Sequence, residues 1–437
     1  MCFLPTPLRK LAACMALFAL GNLQAQAAVE EHGALPLDEL RTFADVFHQI
    51  RIGYVDEIDD SKLLEYAIQG MLMSLDPHSA YLTDDAFRNL QTSTSGEFSG
   101  LGLEVGMEDG YVTIVSPIDG SPAAEAGLQS GDVILKLGKL TVKGMGLGEA
   151  VEQMRGPKGS EITLTIGRPG ESQPFDVTLV RDVIKLASVR QRWLEPGYGY
   201  IRVAQFQNST GADVSQALET LMAEQKLKGL VLDLRNNPGG ILRASVDVAS
   251  LFMDGGNVVY TQGRVENADM RYDADPGDAS NGVPLIVLIN SGSASASEIV
   301  AGALQDHGRA VVMGTASFGK GSVQTILPIS ETRAVKLTTA LYFTPNGRSI
   351  QAEGINPDIL VERATVTAFQ GRPQIKEADL TRHLNNAGGN GDAKAKPVAS
   401  KLFSSDNQLY EALTLLKGLN VLGMREQNKK PGAGGES

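Results

Sequence analysis

Hydrophobic residues recur with a helical period in the first part of the chain, over residues 35–95. The 3.6-residue spacing of these apolar positions predicts one helix over 37–50 and a second over 60–71. Asp60 and Ser61 are residue types that cap helices, so we expect the second helix to begin there. The first region is therefore predicted to be helical.

A different pattern begins near residue 97 and continues to 183. Short β-type runs at 111–115, 133–137 and 162–166 are separated by glycine-containing turns. One short helical pattern, at 147–154, lies between two of these runs. This region is predicted to be rich in β-strands.

Continuous apolar runs alternate with helical patterns over residues 190–362. The predicted strands are 229–234, 284–289 and 310–313, and the predicted helices are 245–252 and 297–305. This strand–helix–strand order predicts a largely parallel sheet with right-handed crossovers.

Beyond this region, residues 385–400 have the composition of a flexible linker. An amphipathic helix is predicted over 409–419, and residues 427–437 are predicted to be disordered. We found no internal repeat.

The N-terminus has the pattern of a secretory signal peptide over residues 1–27. Arg9 and Lys10 precede the apolar run 11–20, and small residues follow at 25–27. We therefore expect the mature chain to be exported and, in a bacterium, to be periplasmic, either free or peripheral to the membrane. The alternative is an uncleaved anchor or a buried helix.

Composition narrows the classes of function. Of 437 residues, 42% are hydrophobic and 21% are charged, which is typical of globular proteins. The formal net charge of −12 argues against nucleic acid as a partner, because phosphate binding needs a basic face. Cys2 and Cys14 both lie in the predicted signal peptide, so a thiol nucleophile or a thiolate metal site is not expected. No HExxH or comparable spacing occurs, and we expect no metal and no cofactor.

The most distinctive chemistry lies in Asn290-Ser-Gly-Ser-Ala-Ser-Ala-Ser-Glu298, between a predicted buried strand and a predicted helix. Backbone N–H groups and the helix dipole at such a junction stabilise developing negative charge, which suits a nucleophilic serine. The residues alone leave the choice among Ser291, Ser293, Ser295 and Ser297 open. Ser295 and Glu298 also have capping-box spacing, which is the structural alternative.

A nucleophilic serine needs a base, and two candidates follow it in the sequence. His307 lies where a helix is predicted to end, a position that favours a cation for structural reasons. Lys320, between two glycines, is the better candidate if burial lowers its pKa from about 10.4. An exposed loop lysine is the alternative. Residues 314–321 nearly fit a phosphate-binding P-loop, but Gly321 stands where that motif needs Ser or Thr.

Two glycine-rich turns are candidates for binding through backbone N–H groups. The turn at the end of 232–240 can direct an N–H group at an oxyanion. The turn 100–103 can capture a terminal carboxylate beside an apolar groove. Ordinary loops are the alternative in both cases. The predicted peptide-binding residues are Gly100, Leu101, Gly102, Leu103, Leu147, Val151 and Met154.

Together, these segments resemble the C-terminal processing (tail-specific) protease family, over about residues 38–362. The order and number of the motifs carry the resemblance, more than any single motif. The matching segments are 75–82, 120–128, 130–133, 154–159, 232–240, 290–298, 318–321 and 344–351.

The resemblance implies an α/β multidomain chain. Its mixed α/β protease core, a largely parallel sheet with helices, is expected over 185–364, with an inserted β-rich PDZ domain over 96–184. A helical N-terminal region is expected over 28–95, and a C-terminal region with a linker and a helix is expected over 365–426.

The resemblance also implies roles for individual residues. Ser295 would be the nucleophile, Lys320 the general base, and Gln324 the residue whose amide orients the lysine. The N–H groups of Gly240 and Ala296 would form the oxyanion hole.

The implied function is a serine endopeptidase that acts on exported or envelope proteins. Its PDZ domain would bind the C-terminus of a substrate or regulator and gate the cleft. Family members also suggest a homo-oligomer and, in some cases, an adaptor protein. The alternatives are a catalytically inactive PDZ scaffold, a nucleotide hydrolase that uses 314–321, and a hydrolase that depends on His307.

Overall fold

The structure is a computed structural model in which the described residues are 36–108, 110–118, 120–265, 268–365, 377, 380–384, 402 and 405–429. The predicted signal peptide, the predicted linker 385–400 and residues 430–437 lie outside them. The chain divides into two compact units, Met1–Met71 and Leu72–Ser437. Among the described residues, no helix combines the length and the apolar character needed to cross a membrane.

The first unit contains the predicted pair of helices. Helix α1 is Leu37–Gly53, and helix α2 is Asp60–Met73, whose last two residues belong to the second unit. The cap of α2 is one residue earlier than predicted, because the Asp59 carboxylate accepts the backbone N–H of Ser61 at 2.8 Å.

The second unit opens with strand β1, Ala80–Leu82, and helix α3, Asp84–Ser95. Gly96 ends this helix with φ +73°, a left-handed conformation that glycine adopts at little cost.

The β-rich region forms a small domain with its own core. Its main sheet has the strand order β3-β4-β5-β7-β8, β6 pairs with β5, and β2 pairs with β9. Side chains such as Ile114, Ile134 and Leu164 are fully buried in its core cluster. Its elements are β2 Glu97–Gly100, β3 Leu103–Glu108, β4 Tyr111–Pro117, α4 Pro122–Glu125, β5 Val133–Leu137, β6 Leu140–Thr141, α5 Leu147–Met154, β7 Glu161–Gly167, β8 Phe175–Val180 and β9 Asp182–Lys185.

A six-stranded sheet with the order β10-β11-β12-β15-β16-β19 organises the remaining core. Strands β10 and β11 are antiparallel, and the other neighbours are parallel, as the strand–helix alternation predicted. Its elements are β10 Val189–Glu195, β11 Tyr198–Val203, α6 Thr210–Glu224, β12 Gly229–Asp233, α7 Leu242–Ser250, β13 Asn257–Gly263, β14 Arg271–Asp273, β15 Leu285–Ile289, α8 Ala296–Asp306, β16 Ala310–Gly314, β17 Ser322–Pro328, β18 Ala334–Phe343, β19 Ile359–Leu360 and α9 Asn407–Lys429.

Both faces of this sheet are covered, which explains why its central strands are continuously apolar. On one face, Leu230 and Leu232 pack with helices α6, α7 and α8. On the other face, Val231 and Ile286 pack with Leu416 of α9. Helix α9 therefore completes the core, and its bounds include residues 427–429 of the predicted disordered tail.

A second sheet, which the sequence patterns did not predict, joins distant segments. Its order is β1-β18-β13-β14, and β17 also pairs with β18. Strand β1 lies beside β18 with Ala80 opposite Lys336. Strand β17 pairs only with β18 among the described strands, so its other edge is open. This sheet brings the turn at 76–79 next to the segment that follows Lys320.

Candidate active site

Ser295 occupies a strained turn between strand β15 and helix α8. Its backbone has φ +56° and ψ −114°, a conformation that costs free energy for a residue other than glycine. A strand–turn–helix junction with a strained serine presents the hydroxyl at the edge of a sheet in serine hydrolases of other folds. The geometry thus distinguishes this position from its neighbours, which the sequence alone did not.

The other three serines of the segment have different environments. Ser293 is buried, and its hydroxyl donates to the carbonyl of Leu234 at 2.8 Å. Ser297 is also buried, and its hydroxyl donates to the carbonyl of Asn237 at 2.9 Å. Ser291 is exposed. Two of the candidates therefore fasten the serine turn to the segment after β12.

The glycine turn after β12 packs directly against the serine turn. A Cβ atom on Gly239 would lie 2.8 Å from Cβ of Ser295 and 3.0 Å from N of Ala296, so only glycine fits. Among the described residues, the N–H groups of Gly240 and Ala296 donate to no other group. Two free amides beside one serine hydroxyl are suited to hold a developing oxyanion.

Lys320 lies in the loop between β16 and β17 and shares a cavity of about 460 Å³ with Ser295, Gly240 and Gln324. Its ammonium forms no ion pair or hydrogen bond with another described residue. Burial lowers its pKa below the ordinary lysine value, and the charge of Lys336 lowers it further. A lysine in this environment can lose its proton more easily than one in water.

Glu298 connects the serine turn to the lysine loop. Its fully buried carboxylate accepts the backbone N–H of Ser295 at 2.7 Å, that of Lys320 at 2.9 Å and that of Gly319 at 2.6 Å. The hydroxyl of Ser317 donates a fourth bond at 2.6 Å. Burial raises the pKa of Glu298, and these four donors oppose that rise. The capping-box spacing identified one of these contacts but not the three to the loop.

Tyr342 is a further member of the site that the sequence analysis missed. It is buried on β18, it lines the cavity, and its hydroxyl donates to the carbonyl of Lys320. Burial, then the charge of Glu298, raises its pKa well above the ordinary tyrosine value, whereas contact with Ser295 opposes the rise. The hydroxyl therefore stays protonated and supports the lysine loop.

Gln324 contacts other partners than the predicted one. Its amide nitrogen donates to the hydroxyl of Ser322 at 3.0 Å and to that of Thr338 at 3.3 Å. Thr338 in turn donates to the carboxylate of Asp76 at 3.1 Å. Among the described residues, no hydrogen bond joins Gln324 to the Lys320 ammonium, so the predicted orienting contact is not formed here.

His307 and the P-loop-like segment lack the geometry for their alternative roles. His307 caps the far end of α8 from Ser295, and its Nε2 lies 2.7 Å from the carbonyl oxygen of Asn257. Residues 314–321 lead into strand β17, whereas a P-loop leads into a helix whose N-terminus holds phosphate. His307 is therefore explained by its position at the end of α8, and residues 314–321 by the loop that leads into β17.

The predicted peptide-binding turn lies at the edge of the β-rich domain. The N–H groups of Leu101 and Gly102 donate to no other described group. Gly100 ends β2, Leu103 begins the edge strand β3, and Leu147 and Val151 on α5 are only partly buried. Met154 is buried in the domain core. These positions leave free amides and apolar side chains near a sheet edge, and their binding role stays a prediction.

Three family models match successive parts of the chain. One described as peptidase family S41 matches residues 197–361, and one described as a PDZ domain matches residues 99–179. A third, described as the activating protease CtpB N-terminal domain, matches residues 17–86.

Curated relatives match most of the chain. It is 49% identical over 388 residues to a carboxy-terminal-processing protease of Bartonella bacilliformis, which covers 87% of this chain and 88% of that one. It is 38% identical over 370 residues to a carboxyl-terminal-processing protease of Synechocystis, with 80% and 86% covered. A solved photosystem II D1 C-terminal processing protease is 32% identical and covers 74% of this chain and 93% of that one, with a TM-score of 0.43.

Proposed function

Since the chain belongs to the carboxy-terminal processing proteases, a family of serine peptidases with a PDZ domain, we propose that it cleaves proteins through Ser295 and Lys320. The neutral Lys320 amine accepts the Ser295 proton as the serine oxygen attacks a peptide carbonyl. The N–H groups of Gly240 and Ala296 stabilise the resulting oxyanion.

The remaining steps use the same groups. Collapse of the tetrahedral intermediate breaks the peptide C–N bond, and the Lys320 ammonium gives its proton to the leaving amine. Water, deprotonated by the again neutral Lys320, then hydrolyses the acyl-enzyme and regenerates Ser295. The side-chain carbonyl of Gln324, which accepts no hydrogen bond from another described residue, is the group that would hold the ammonium between these steps.

One observation carries this proposal. A serine with φ +56°, two free backbone amides and a lysine of lowered pKa border the same cavity of about 460 Å³. The lysine would accept the proton that a histidine accepts in other serine hydrolases.

Helix α3 supports control of this site by the PDZ domain. Its residues Leu90, Ser93 and Thr94 line the catalytic cavity. On the PDZ side, the Arg88 guanidinium lies 3.2 Å from the Glu152 carboxylate on α5.

We extend the proposal to gating through this contact. Exposed ion pairs contribute only about 0–1 kcal/mol to stability. Binding of a peptide C-terminus beside α5 can therefore break the Arg88–Glu152 pair without unfolding either domain. Movement of α3 would then change the walls of the cavity around Ser295.

The proposal includes the compartment of the enzyme, its oligomeric state and an adaptor protein. The charged, apolar and small-residue pattern of residues 1–27 supports export, with a bacterial periplasm as the compartment. The exposed apolar side chains of α1, such as Leu37, Phe43 and Val46, support assembly into a homo-oligomer. An adaptor protein that delivers substrates remains part of the family-based expectation.

The decisive experiment compares Ser295→Ala with Ser291→Ala, its exposed neighbour in the same turn. Cleavage of an unfolded protein such as casein is followed by gel electrophoresis and by release of new amino termini. We expect Ser295→Ala to lower the rate by roughly 10⁴-fold or more and Ser291→Ala to change it little. Undiminished cleavage by Ser295→Ala would exclude this nucleophile.

A further inference from the structure

Lys336 is a second cation in the catalytic cavity, and the reaction proposed above does not use it. It lies on β18, opposite Ile326 of β17 on one side and Ala80 of β1 on the other. It lines the same cavity as Ser295 and Lys320. Its side chain is partly buried, and its ammonium forms no ion pair or hydrogen bond with another described residue.

The lining of this cavity is positive although the whole chain has a net charge of −12. Among its described lining residues, the only basic side chains are Lys336 and Lys320, which is neutral when it acts as the base, and there is no carboxylate. The two nearby acids are occupied. Glu298 accepts four hydrogen bonds, and Asp76 accepts bonds from the backbone of His78, from Ser79 and from Thr338.

The strand geometry places Lys336 away from the scissile bond. Strand β18 has a bulge at Thr339, which has no pairing partner in the register with β17. Lys336 and Tyr342 lie on either side of this bulge, and both line the cavity. Six residues of strand, one of them in the bulge, separate their Cα atoms by at most roughly 20 Å, at about 3.3 Å per residue. Because Tyr342 contacts Ser295, the backbone of Lys336 lies a few substrate residues from the bond that is cleaved, although the charge of Lys336 still acts on Lys320.

The open edge of β17 gives an extended substrate a path past this lysine. Ser322, Val323, Gln324 and Ile326 of β17 line the cavity, and no other described strand pairs with their free side. A polypeptide added along such an edge is held by main-chain hydrogen bonds and read by side-chain pockets. A substrate bound along this edge contacts both Ser295 and Lys336, and its chain direction decides which side of the scissile bond faces Lys336.

We propose that Lys336 forms a subsite for a substrate carboxylate, several residues from the scissile bond, and so selects which bonds are cleaved. The inference rests on the proposed function of this cavity. The carboxylate can be an Asp or Glu side chain or the terminal carboxylate of the polypeptide, since both present the same anion to the ammonium. Lys336 is thus a specificity-determining residue, distinct from the nucleophile and the base.

The test uses the full chain and unstructured polypeptides that share one cleavage site. In one series, a single Glu or Gln occupies successive positions on either side of that site. In a second series, the polypeptide ends at those positions with a free or an amidated C-terminus. The ratio of kcat/KM values within each pair is independent of the fraction of active enzyme.

At one position, we expect the carboxylate to be preferred by roughly fivefold to tenfold at low salt, with a smaller preference at 1 M salt. Lys336→Met removes the preference, Lys336→Arg keeps it, and Lys336→Glu reverses it in favour of Gln or the amidated C-terminus. Lys226→Met, a change at an exposed lysine on the surface, is the matched control and keeps the preference. A preference in the first series shows that a side chain supplies the carboxylate. A preference in the second series shows that the C-terminus supplies it.

A preference that is absent at every position in the wild type, or that persists in Lys336→Met, overturns the inference. A Lys336→Met variant that is folded but cleaves neither member of a pair also overturns the inference, since Lys336 would then be needed for the reaction itself. If cleavage depends on Ser295 but shows no carboxylate preference, the proposed function stands and the Lys336 subsite fails. If no cleavage depends on Ser295, the proposed function itself fails.

Discussion

The carboxylate of Glu298 accepts the backbone N–H of Lys320 at 2.9 Å, across the space between the serine turn and the lysine loop. Since the same carboxylate also accepts the N–H of Ser295, one buried side chain fixes the backbone of both proposed catalytic residues. The relative position of nucleophile and base therefore depends on a group that touches neither reacting atom. Glu298 is a positioning residue.

Replacement of Glu298 by Gln tests this role. The amide group can accept at its oxygen, but its nitrogen is a donor facing N–H groups. We expect unfolding free energy to fall by about 1–3 kcal/mol, because buried donors lose their acceptor. We also expect kcat to fall more than KM changes, as the geometry of Ser295 and Lys320 relaxes. Urea unfolding and steady-state kinetics measure the two effects.

Glu219→Gln, at an exposed position on α6, is the control for the loss of a negative charge. It should leave both quantities near the wild-type values. A Glu298→Gln enzyme with wild-type kcat would show that this carboxylate does not position the pair.

The pH dependence of activity should follow Lys320. Burial and the charge of Lys336 lower its pKa, whereas Glu298 and Asp76 oppose the shift. Because only the neutral amine is a base, activity rises with pH through this lowered pKa. Lys336→Met removes one lowering influence, so the rise in kcat/KM should move to higher pH. A pH–rate profile with a substrate lacking Asp and Glu measures it, and an unmoved profile would contradict the electrostatic coupling.

The same pKa shift has a consequence for stability. A lysine with a lowered pKa binds its proton more weakly in the folded state than in the unfolded state. It therefore destabilises the protein at neutral pH, and this cost disappears as pH rises through the unfolded value near 10.4. Lys320→Met should be inactive but more stable than the wild type at pH 7. Denaturant unfolding at pH 7 measures the difference, and Lys226→Met is the control.

The contact between α3 and the PDZ domain gives a prediction about regulation. Arg88→Gln and Glu152→Gln each remove one side of an exposed ion pair. We expect each to change stability by less than about 1 kcal/mol, yet to alter the ratio of activities with and without a PDZ-binding peptide. The double variant should show no further change in the peptide response, because the contact that the two residues share joins α3 to α5, whereas their other pairs, Arg88 with Asp85 and Glu152 with Arg155, each stay within one helix or its end.

Arg271→Gln, which breaks an exposed pair with Asp273 at 2.8 Å, is the matched control for this series. It should leave the peptide response as in the wild type. Equal peptide responses in the wild type, the two single variants and the double variant would remove the Arg88–Glu152 contact from the gating proposal.

The docking of helix α9 gives a prediction about acid stability. Asp406 precedes α9, and its carboxylate lies 2.8 Å from the Arg235 guanidinium, just before the glycine turn that carries Gly240. Burial alone would raise the pKa of Asp406, but Arg235 holds it below the ordinary value of 3.8. Its contribution to stability is therefore present above that value and is lost as pH falls through the lowered pKa.

Asp406→Asn should lower unfolding free energy at pH 7 by about 1–3 kcal/mol and flatten its decline in acid. Activity should fall as well, since the segment before Gly240 loses its anchor. Urea unfolding between neutral and acid pH measures the stability effect. A variant that matches the wild type at pH 7 would show that the pair contributes nothing to docking.

Much of this protein could be predicted from the order of its residues. The helical periods at 37–50 and 60–71 and the apolar strands 284–289 and 310–313 correspond to elements of the structure. These patterns reflect whether neighbouring residues are buried on one face or on two, which is a local property. The motif order also indicated the family to which the chain belongs.

Only the tertiary structure decided which groups meet at the site. The sequence alone left four serines as candidates, and the strained backbone of Ser295 separates it from two neighbours whose hydroxyls are used in packing. Ser79 and Thr338 are hydrogen-bonded although 259 residues separate them, and the same sheet places Lys336 in the cavity. Hydrophobic periodicity specifies which face of an element is buried but not which distant element covers it, so such contacts leave no local pattern.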